Sequence, residues 1–326
     1  MQYSVLVIGG AVAPAAQDAA LTRGIALSSC KPYPDAGELA DAANAVAADA
    51  LVVRLGRVPR EAMARMHSVR MIAKHGVGID GIDVAAASER GIPVVVAGGA
   101  NAQSVAEQGL ALLLGVARST AWLDRRIREG HWDKSTYAGT EVAGKAVGLI
   151  GLGAIGRAFL ALLRPFGVSA RVYDPYLSPD LLPDGAERVD DVDTLLASSD
   201  IVSLHCPLTD ENRGLIDAAA IARMRPGAIL VNTARGELID EAALVAALRD
   251  GRLGGAGLDT FATEPIGADH PLLALDNVVV SPHVGANTHE ARARVGVRCI
   301  EQIADYLERG VLDPRNHVNK AVPATV

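Results

Sequence analysis

Between Lys145 and Asp174 the chain carries an apolar run, Ala146-Val147-Gly148-Leu149-Ile150, and then Gly151-Leu152-Gly153-Ala154-Ile155-Gly156. A helical stretch follows to Pro165-Phe166-Gly167, and a second apolar run stops at Tyr173-Asp174. Few folds accommodate that order. Gly151 permits a tight turn, Gly153 lets the backbone approach a bulky anion, and Gly156 lets the helix lie close on the strand. The helix opens at this turn, so its unpaired N–H groups and positive end face the anion. Asp174 stands where a carboxylate accepts hydrogen bonds from a ribose diol. Glycines at this spacing are by themselves only a common turn. Strand, helix, second strand and acid within about 30 residues define a dinucleotide-binding βαβ unit. A carboxylate at 174 repels a 2′-phosphate, which favours NAD over NADP. The N-terminal Ile8-Gly9-Gly10-Ala11 lacks the spacing and predicts only a strand-end turn.

The same alternation runs along the chain. Strands are predicted at Ser4–Ile8, Ala50–Arg54, Arg70–Lys74 and Pro93–Ala97, with helical patterns between them. After residue 145, strands are predicted at Ala146–Ile150, Ala170–Tyr173, Ile201–His205, Ala228–Asn232, Gly255–Asp259 and Val278–Ser281, again separated by helices. Only 3% of the residues are aromatic, whereas half are hydrophobic and 33 are glycine. Small and β-branched cores suit parallel sheets covered by helices on both faces. A helix is expected from Ser104-Val105-Ala106-Glu107, which fits a capping box, to about Ser119, with more helix to Gly130. His131 to Gly144 reads as a loop, and Gly310 to Val326 as an extended tail.

Length and charge set the outer bounds. The 326 residues allow about two domains. A net charge of −7 without a basic run argues against a nucleic-acid or anionic-membrane partner. Cys30, Cys206 and Cys299 are too scattered for a disulfide framework or structural zinc, so no metal is expected. The first ten residues lack a basic segment, and the longest apolar helical stretch is short of a span, so neither a signal peptide nor a membrane helix is expected. The expected location is cytoplasmic.

Three residues just past predicted strand ends form a chemical set: Arg235, Glu264 and His283. Open α/β sheets bind ligands at that edge. An arginine fork pairs with a carboxylate and polarises an adjacent carbonyl. A histidine supplies or takes a proton at neutral pH, and a carboxylate beside it fixes its tautomer and favours its charged form. For any one of them alone, a surface ion pair, a cap or a core role is the favoured reading. Three on successive strand ends favour catalysis.

Seven motifs in order then resemble the D-isomer-specific 2-hydroxyacid dehydrogenases, and most closely their D-3-phosphoglycerate dehydrogenase-like branch. They are Gly76-Val77-Gly78-Ile79-Asp80, Asn101 to Glu107, the glycine fingerprint, His205-Cys206-Pro207-Leu208-Thr209, Asn232-Thr233-Ala234-Arg235-Gly236, Asp259 to Pro265, and Ser281-Pro282-His283-Val284-Gly285. The resemblance covers roughly Ala50 to Asn319. It implies an α/β chain with a Rossmann-type doubly wound parallel sheet domain at 100–288. A smaller flavodoxin-like substrate domain, discontinuous in sequence, is implied at 1–99 and 289–326. It implies NAD-dependent hydride transfer between a small D-2-hydroxy acid and its 2-keto acid. In that scheme Arg235 binds substrate, His283 is the acid/base and Glu264 supports it. Gly151, Gly153, Ala154, Ile155 and Gly156 would hold the pyrophosphate, with Asp174, Cys206 and Pro207 at the adenosine. Thr233, Ala234 and Asp259 would face the nicotinamide, with Gly285 and Ala286 after the histidine. Cys206 has no base beside it in sequence, which favours packing over nucleophilic chemistry. A homodimer is implied, with Trp122 and Trp132 as packing or subunit contacts.

On the substrate side the resemblance assigns the carboxylate to the Gly76, Val77 and Gly78 loop. Arg54 and Lys74 end neighbouring strands. They read either as partners of a second anionic group on the substrate or as ordinary strand-end charges. Leu55-Gly56-Arg57 departs from the small hydroxyl residues usual in the phosphoglycerate branch, so sulfolactate-, hydroxypyruvate- and glyoxylate-like acids stay open. Two rival readings are a non-catalytic NAD(H)-sensing protein of the corepressor type, and a formate dehydrogenase. The first is disfavoured by the lack of long disordered tails, the second by Glu264, where that group carries glutamine.

Overall fold

The computed structural model describes residues 2–323 and divides into two compact units, Met1–Asn101 with Ala286–Val326, and Ala102–Gly285. In the first unit β1 (Tyr3–Ile8), α1 (Pro14–Thr22), β2 (Ile25–Cys30), α2 (Ala36–Ala45), β3 (Ala50–Val53), α3 (Arg60–Arg65), β4 (Met71–Lys74), α4 (Val84–Glu89) and β5 (Val94–Val96) alternate. All the strand pairs are parallel, in the order β2-β1-β3-β4-β5. That is the flavodoxin-like order.

The period-two geometry of a strand explains the layering. Val5 and Val7 of β1 join one core with Ala16 and Ala20 of α1 and with Val295, Ile300 and Ile303 of the C-terminal helix His289–Arg309. Leu6 and Ile8 of the same strand point the opposite way, to Leu39 of α2, Met63 of α3 and Ala87 of α4. A strand buried on both faces must be apolar at every position, which is why β3 reads Ala-Leu-Val-Val without alternation.

The second unit contains α5 (Ala102–Ala117), α6 (Thr120–Arg128), β6 (Ala146–Ile150), α7 (Ala154–Leu163), β7 (Ser169–Tyr173), β8 (Ala186–Arg188), α8 (Val192–Ser198), β9 (Ile201–Leu204), α9 (Ala218–Arg223), β10 (Ala228–Asn232), α10 (Glu241–Arg249), β11 (Leu253–Leu258) and β12 (Val278–Val280). Its seven parallel strands lie in the order β12-β11-β10-β9-β6-β7-β8. Counted from β6, this is the Rossmann order with one further strand, and it reverses between β6 and β9. Among the described residues, no helix is long and apolar enough to cross a membrane, and no cluster of His, Cys, Asp and Glu could hold a metal ion.

Two strands, β2 and β8, escape the sequence pattern. Both are sheet edges. β2 reads Ile-Ala-Leu-Ser-Ser-Cys and β8 only Ala-Glu-Arg, partly or fully exposed, so neither needs an apolar run. The capping box at Ser104 is not a cap either. The helix begins at Ala102, and Ser104 lies inside it with its hydroxyl donating to the Gly285 carbonyl at 2.5 Å. A buried tertiary acceptor wins over the local box.

Beneath the glycine turn, His205 is partly buried with its Nδ1 shut off from solvent, its Nε2 2.9 Å from Ser203 Oγ and its ring tilted on Phe159 at 5.0 Å. Burial pushes its imidazole down to about 3. An unfolded histidine titrates near 6.5, so the unfolded chain binds the extra proton between those values. Stability from this site is intact above about pH 6.5 and is lost as pH falls towards 3. Chemical denaturation at pH 7 and pH 4.5 is expected to show about 2–3 kcal/mol less acid sensitivity in His205→Gln than in the wild type. An unchanged difference between the two pH values refutes the assignment.

Candidate active site

The fingerprint turn shows why its glycines are there. Gly151 follows β6 at φ +93°, and a Cβ on it would stand 2.8 Å from the Cys206 nitrogen. A Cβ on Gly156 would lie 2.5 Å from the Gly151 carbonyl oxygen, so α7 could not seat against the turn. At Gly153, the N-cap of α7, an added Cβ would meet nothing within 4 Å. That open face, beside a helix N-terminus that has no side-chain cap, is where a pyrophosphate fits. Asp174 closes the turn from β7, accepting from Leu152 N–H at 2.9 Å and Tyr176 N–H at 3.0 Å. Burial first, then the Asp174 charge, pushes the Cys206 thiol up to about 11, which disfavours a thiolate there near neutral pH. Pro207 is tied through its carbonyl to Asn212 Nδ2 at 2.7 Å.

The opposite half of the edge comes from β10, β11 and β12. At the end of β10, Asn232 is fully buried, its Oδ1 accepting from Ala234 N–H at 2.9 Å and its Nδ2 donating to the Arg235 carbonyl at 2.7 Å. The turn carrying Thr233, Ala234 and Arg235 is thus set by a polar strand-end residue. Arg235 Nη1 donates to the Ala234 carbonyl at 2.7 Å. The Thr233 hydroxyl is buried and has no hydrogen-bond partner among the described residues, which suits a site completed by a bound carboxamide.

At the end of β11, Asp259 is 1% exposed and its carboxylate holds the next strand's loop. Oδ1 accepts from Ser281 Oγ at 2.6 Å and Val284 N–H at 2.9 Å, and Oδ2 accepts from Gly285 N–H at 2.8 Å. The Asp259 carbonyl also accepts the His283 N–H at 2.7 Å. These bonds fix His283 at φ +52°, a left-handed conformation that a non-glycine residue adopts only when its surroundings impose it. The side chain is half-exposed, with Nδ1 2.8 Å from Glu264 Oε2. Glu264 is itself oriented, since Oε1 accepts the Phe261 N–H at 3.0 Å.

The geometry therefore joins Glu264 to His283 directly and sets Arg235 on the adjoining strand end. Gln108, which donates to Ser281 Oγ at 2.8 Å, Ser104 and Asn232 support the same loops; from sequence Ser104 reads only as a helix cap, Asn232 only as a motif member, and Gln108 carries no signal. The available signal was a polar residue ending an apolar strand run, as in Ala-Ile-Leu-Val-Asn.

In the first unit, Gly76 follows β4 at φ +143°, and Lys74 Nζ donates to the Arg54 carbonyl at 3.3 Å. Arg54 Nη1 donates to the carbonyls of Gly9, Gly10 and Ala11 at 3.1, 2.9 and 2.5 Å. Arg54 thus has a structural task, bracing the strand-end turn after β1, that the sequence did not show. Val77 is exposed between the two glycines.

The family model for the D-isomer specific 2-hydroxyacid dehydrogenase NAD binding domain matches residues 110–285. The chain belongs to that family. The D-3-phosphoglycerate dehydrogenase of Mycobacterium leprae (strain TN) is 45% identical over 257 residues, covering 78% of this chain and 48% of that protein. The chain thus spans about half the length of the curated D-3-phosphoglycerate dehydrogenases it matches. The hydroxypyruvate reductase of Thermotoga maritima is 43% identical over 258 residues, covering 78% of this chain and 83% of that protein. Among solved structures, a glyoxylate reductase from Paecilomyes thermophila superposes with a TM-score of 0.87 at 31% identity, covering 98% of this chain and all of that one. The second unit of this 2-hydroxyacid dehydrogenase family member is accordingly a nicotinamide dinucleotide-binding domain.

Replacing Asp259 by alanine strands a hydroxyl and two backbone N–H groups. Unfolding in urea is expected to show a loss of about 2–4 kcal/mol. A loss below about 1 kcal/mol would mean that the carboxylate does not hold the loop.

Proposed function

We propose that the protein is an NAD-dependent oxidoreductase that interconverts a small D-2-hydroxy acid and its 2-keto acid. The observation that carries this reading is the Glu264–His283 pair on a loop pinned by Asp259, one strand end from Arg235. Arg235 binds the substrate carboxylate and polarises the neighbouring carbonyl. With Nδ1 engaged by Glu264, His283 is left with Nε2 as the atom that passes a proton to the carbonyl oxygen in reduction, or takes it from the hydroxyl in oxidation. Glu264 holds the ring's tautomer and offsets the charge that develops on it. A nicotinamide dinucleotide held there would supply the hydride acceptor and donor for C2 of the substrate. Gly151, Gly153, Ala154, Ile155 and Gly156 would cradle its pyrophosphate, Asp174, Cys206 and Pro207 its adenosine, and Thr233, Ala234, Asp259, Gly285 and Ala286 its nicotinamide end.

The carboxylate at Asp174 supports NAD over NADP. Arg54, Lys74 and the Gly76–Gly78 loop are assigned to substrate in the first unit, with a second anionic group on the acid. The names of the matched relatives, D-3-phosphoglycerate dehydrogenase and hydroxypyruvate reductase, support a small polar acid of that kind. The chain is further read as a cytoplasmic homodimer. Trp122 stacks on Tyr137 at 6.2 Å within the chain, whereas Trp132 is 77% exposed and available to a second copy.

A spectrophotometric screen of 2-keto acids with NADH and NADPH is expected to show NADH oxidation, fastest with an acid carrying a second anionic or polar group. Tight NADH binding with no turnover on any acid would instead favour a sensor. His283→Gln is expected to lower kcat by about 10²–10⁴-fold with NADH affinity little changed. Asp174→Ala is expected to weaken NADH binding and narrow the preference over NADPH, and an unmoved preference would remove Asp174 from cofactor choice.

A further inference from the structure

Residues Ala262 to Pro265 form an exposed stretch, yet Glu264 must present its carboxylate to His283 within a fraction of an ångström. An exposed loop has few packed neighbours to hold it. Two consecutive backbone N–H groups where it begins are each taken by a carboxylate. Phe261 N–H donates to Glu264 Oε1 at 3.0 Å, and Ala262 N–H donates to Glu241 Oε1 at 2.8 Å.

Glu241 is the first residue of α10, so a rigid element carries it. Its other oxygen, Oε2, lies 3.4 Å from Nε2 of His270, with the side chains only 22% and 21% exposed. His270 Nδ1 accepts the Leu272 N–H, which leaves the ring proton on Nε2, the nitrogen nearer Glu241. The His270 ring also meets the Phe261 ring edge-on at 6.3 Å. The Phe261–Ala262 peptide is pressed from the other side by the residue after Arg235. A Cβ on Gly236 would fall 1.9 Å from the Phe261 carbonyl carbon. One residue, Phe261, with the peptides on its two sides, therefore stands between the Arg235 turn, the Glu264 carboxylate and the Glu241–His270 pair.

We propose that Glu241, braced by His270, is a positioning residue that fixes the Phe261–Ala262 peptide and, through Phe261 and its own N–H, the Glu264 carboxylate on His283. Nothing in this role requires Glu241 to touch substrate or cofactor. Its kinetic consequence rests on the functional reading above, and its geometric consequence does not.

The test uses Glu241→Ala, Glu241→Gln and the pair Glu241→Ala with Glu264→Gln in the full chain. With the best 2-keto acid from the screen, Glu241→Ala is expected to lower kcat by about 10–100-fold while KM and the NADH Kd stay within about threefold. Glu241→Gln, which keeps an oxygen for the Ala262 N–H, is expected to lose less. In the Glu264→Gln background, Glu241→Ala should cost less than about threefold, because the group it positions is already altered. An equal loss in both backgrounds, or loss in KM alone, overturns the proposal. Proton NMR of the histidine rings in the protein without cofactor gives a second, activity-independent reading. Glu241→Ala should shift the His283 ring resonances, and unmoved His283 resonances overturn it. If the wild type turns over no acid while those resonances move, the functional reading falls and the positioning role stands.

Discussion

A carboxylate withdrawn from water must find hydrogen-bond donors inside the protein, and Asp259 finds them in the loop that follows the next strand. That requirement organises the site. Ser281, Val284 and Gly285 are drawn to one side chain at the end of β11, and His283 between them is held at a positive φ. With its backbone determined, the imidazole reaches Glu264, and Glu264 reaches back to the Phe261 amide. Losing the anchor would release His283 from Glu264, even though Asp259 itself bonds neither the imidazole nor Glu264.

The parallel sheet is what makes this possible. Every strand of the second unit ends on the same edge, so loops far apart in sequence are brought side by side without long connections. Polar residues at those ends, Asn232 and Asp259, complete a strand's buried run and then turn their side chains to the neighbouring loops. The glycine turn after β6 serves the same edge from the other side of the reversal, where only a residue without a Cβ passes between Cys206 and the turn. Apolar burial sets the scaffold, and a few buried hydrogen bonds aim its edge.

Much of this was legible in the chain. Strands buried on both faces are largely apolar, so β6 ends where its hydrophobic run ends and β10 one polar residue later, at Asn232. The edge strands β2 and β8 were not legible, because one exposed side relaxes the demand for apolar residues. The Ser104 box misled, because the same four residues suit a helix start and a helix interior, and only the Gly285 carbonyl decides between them. The trio at Arg235, Glu264 and His283 could be picked out because each stands beyond a strand end. The supporting residues Asn232, Gln108 and Glu241 look like ordinary polar residues of strand or helix termini.

By itself the sequence determined the two α/β units, the dinucleotide turn and the family, because hydrophobic period, glycine spacing and strand-end chemistry are local properties. Only the tertiary structure decided which carboxylate serves which partner. Asp259 takes a loop, Glu264 an imidazole, Glu241 an amide, and Arg54 the three carbonyls after β1. The reason is physical. A carboxylate or a guanidinium has the same chemistry wherever it stands in the chain, and its role is set by the donors and acceptors that folding brings within about 3 Å.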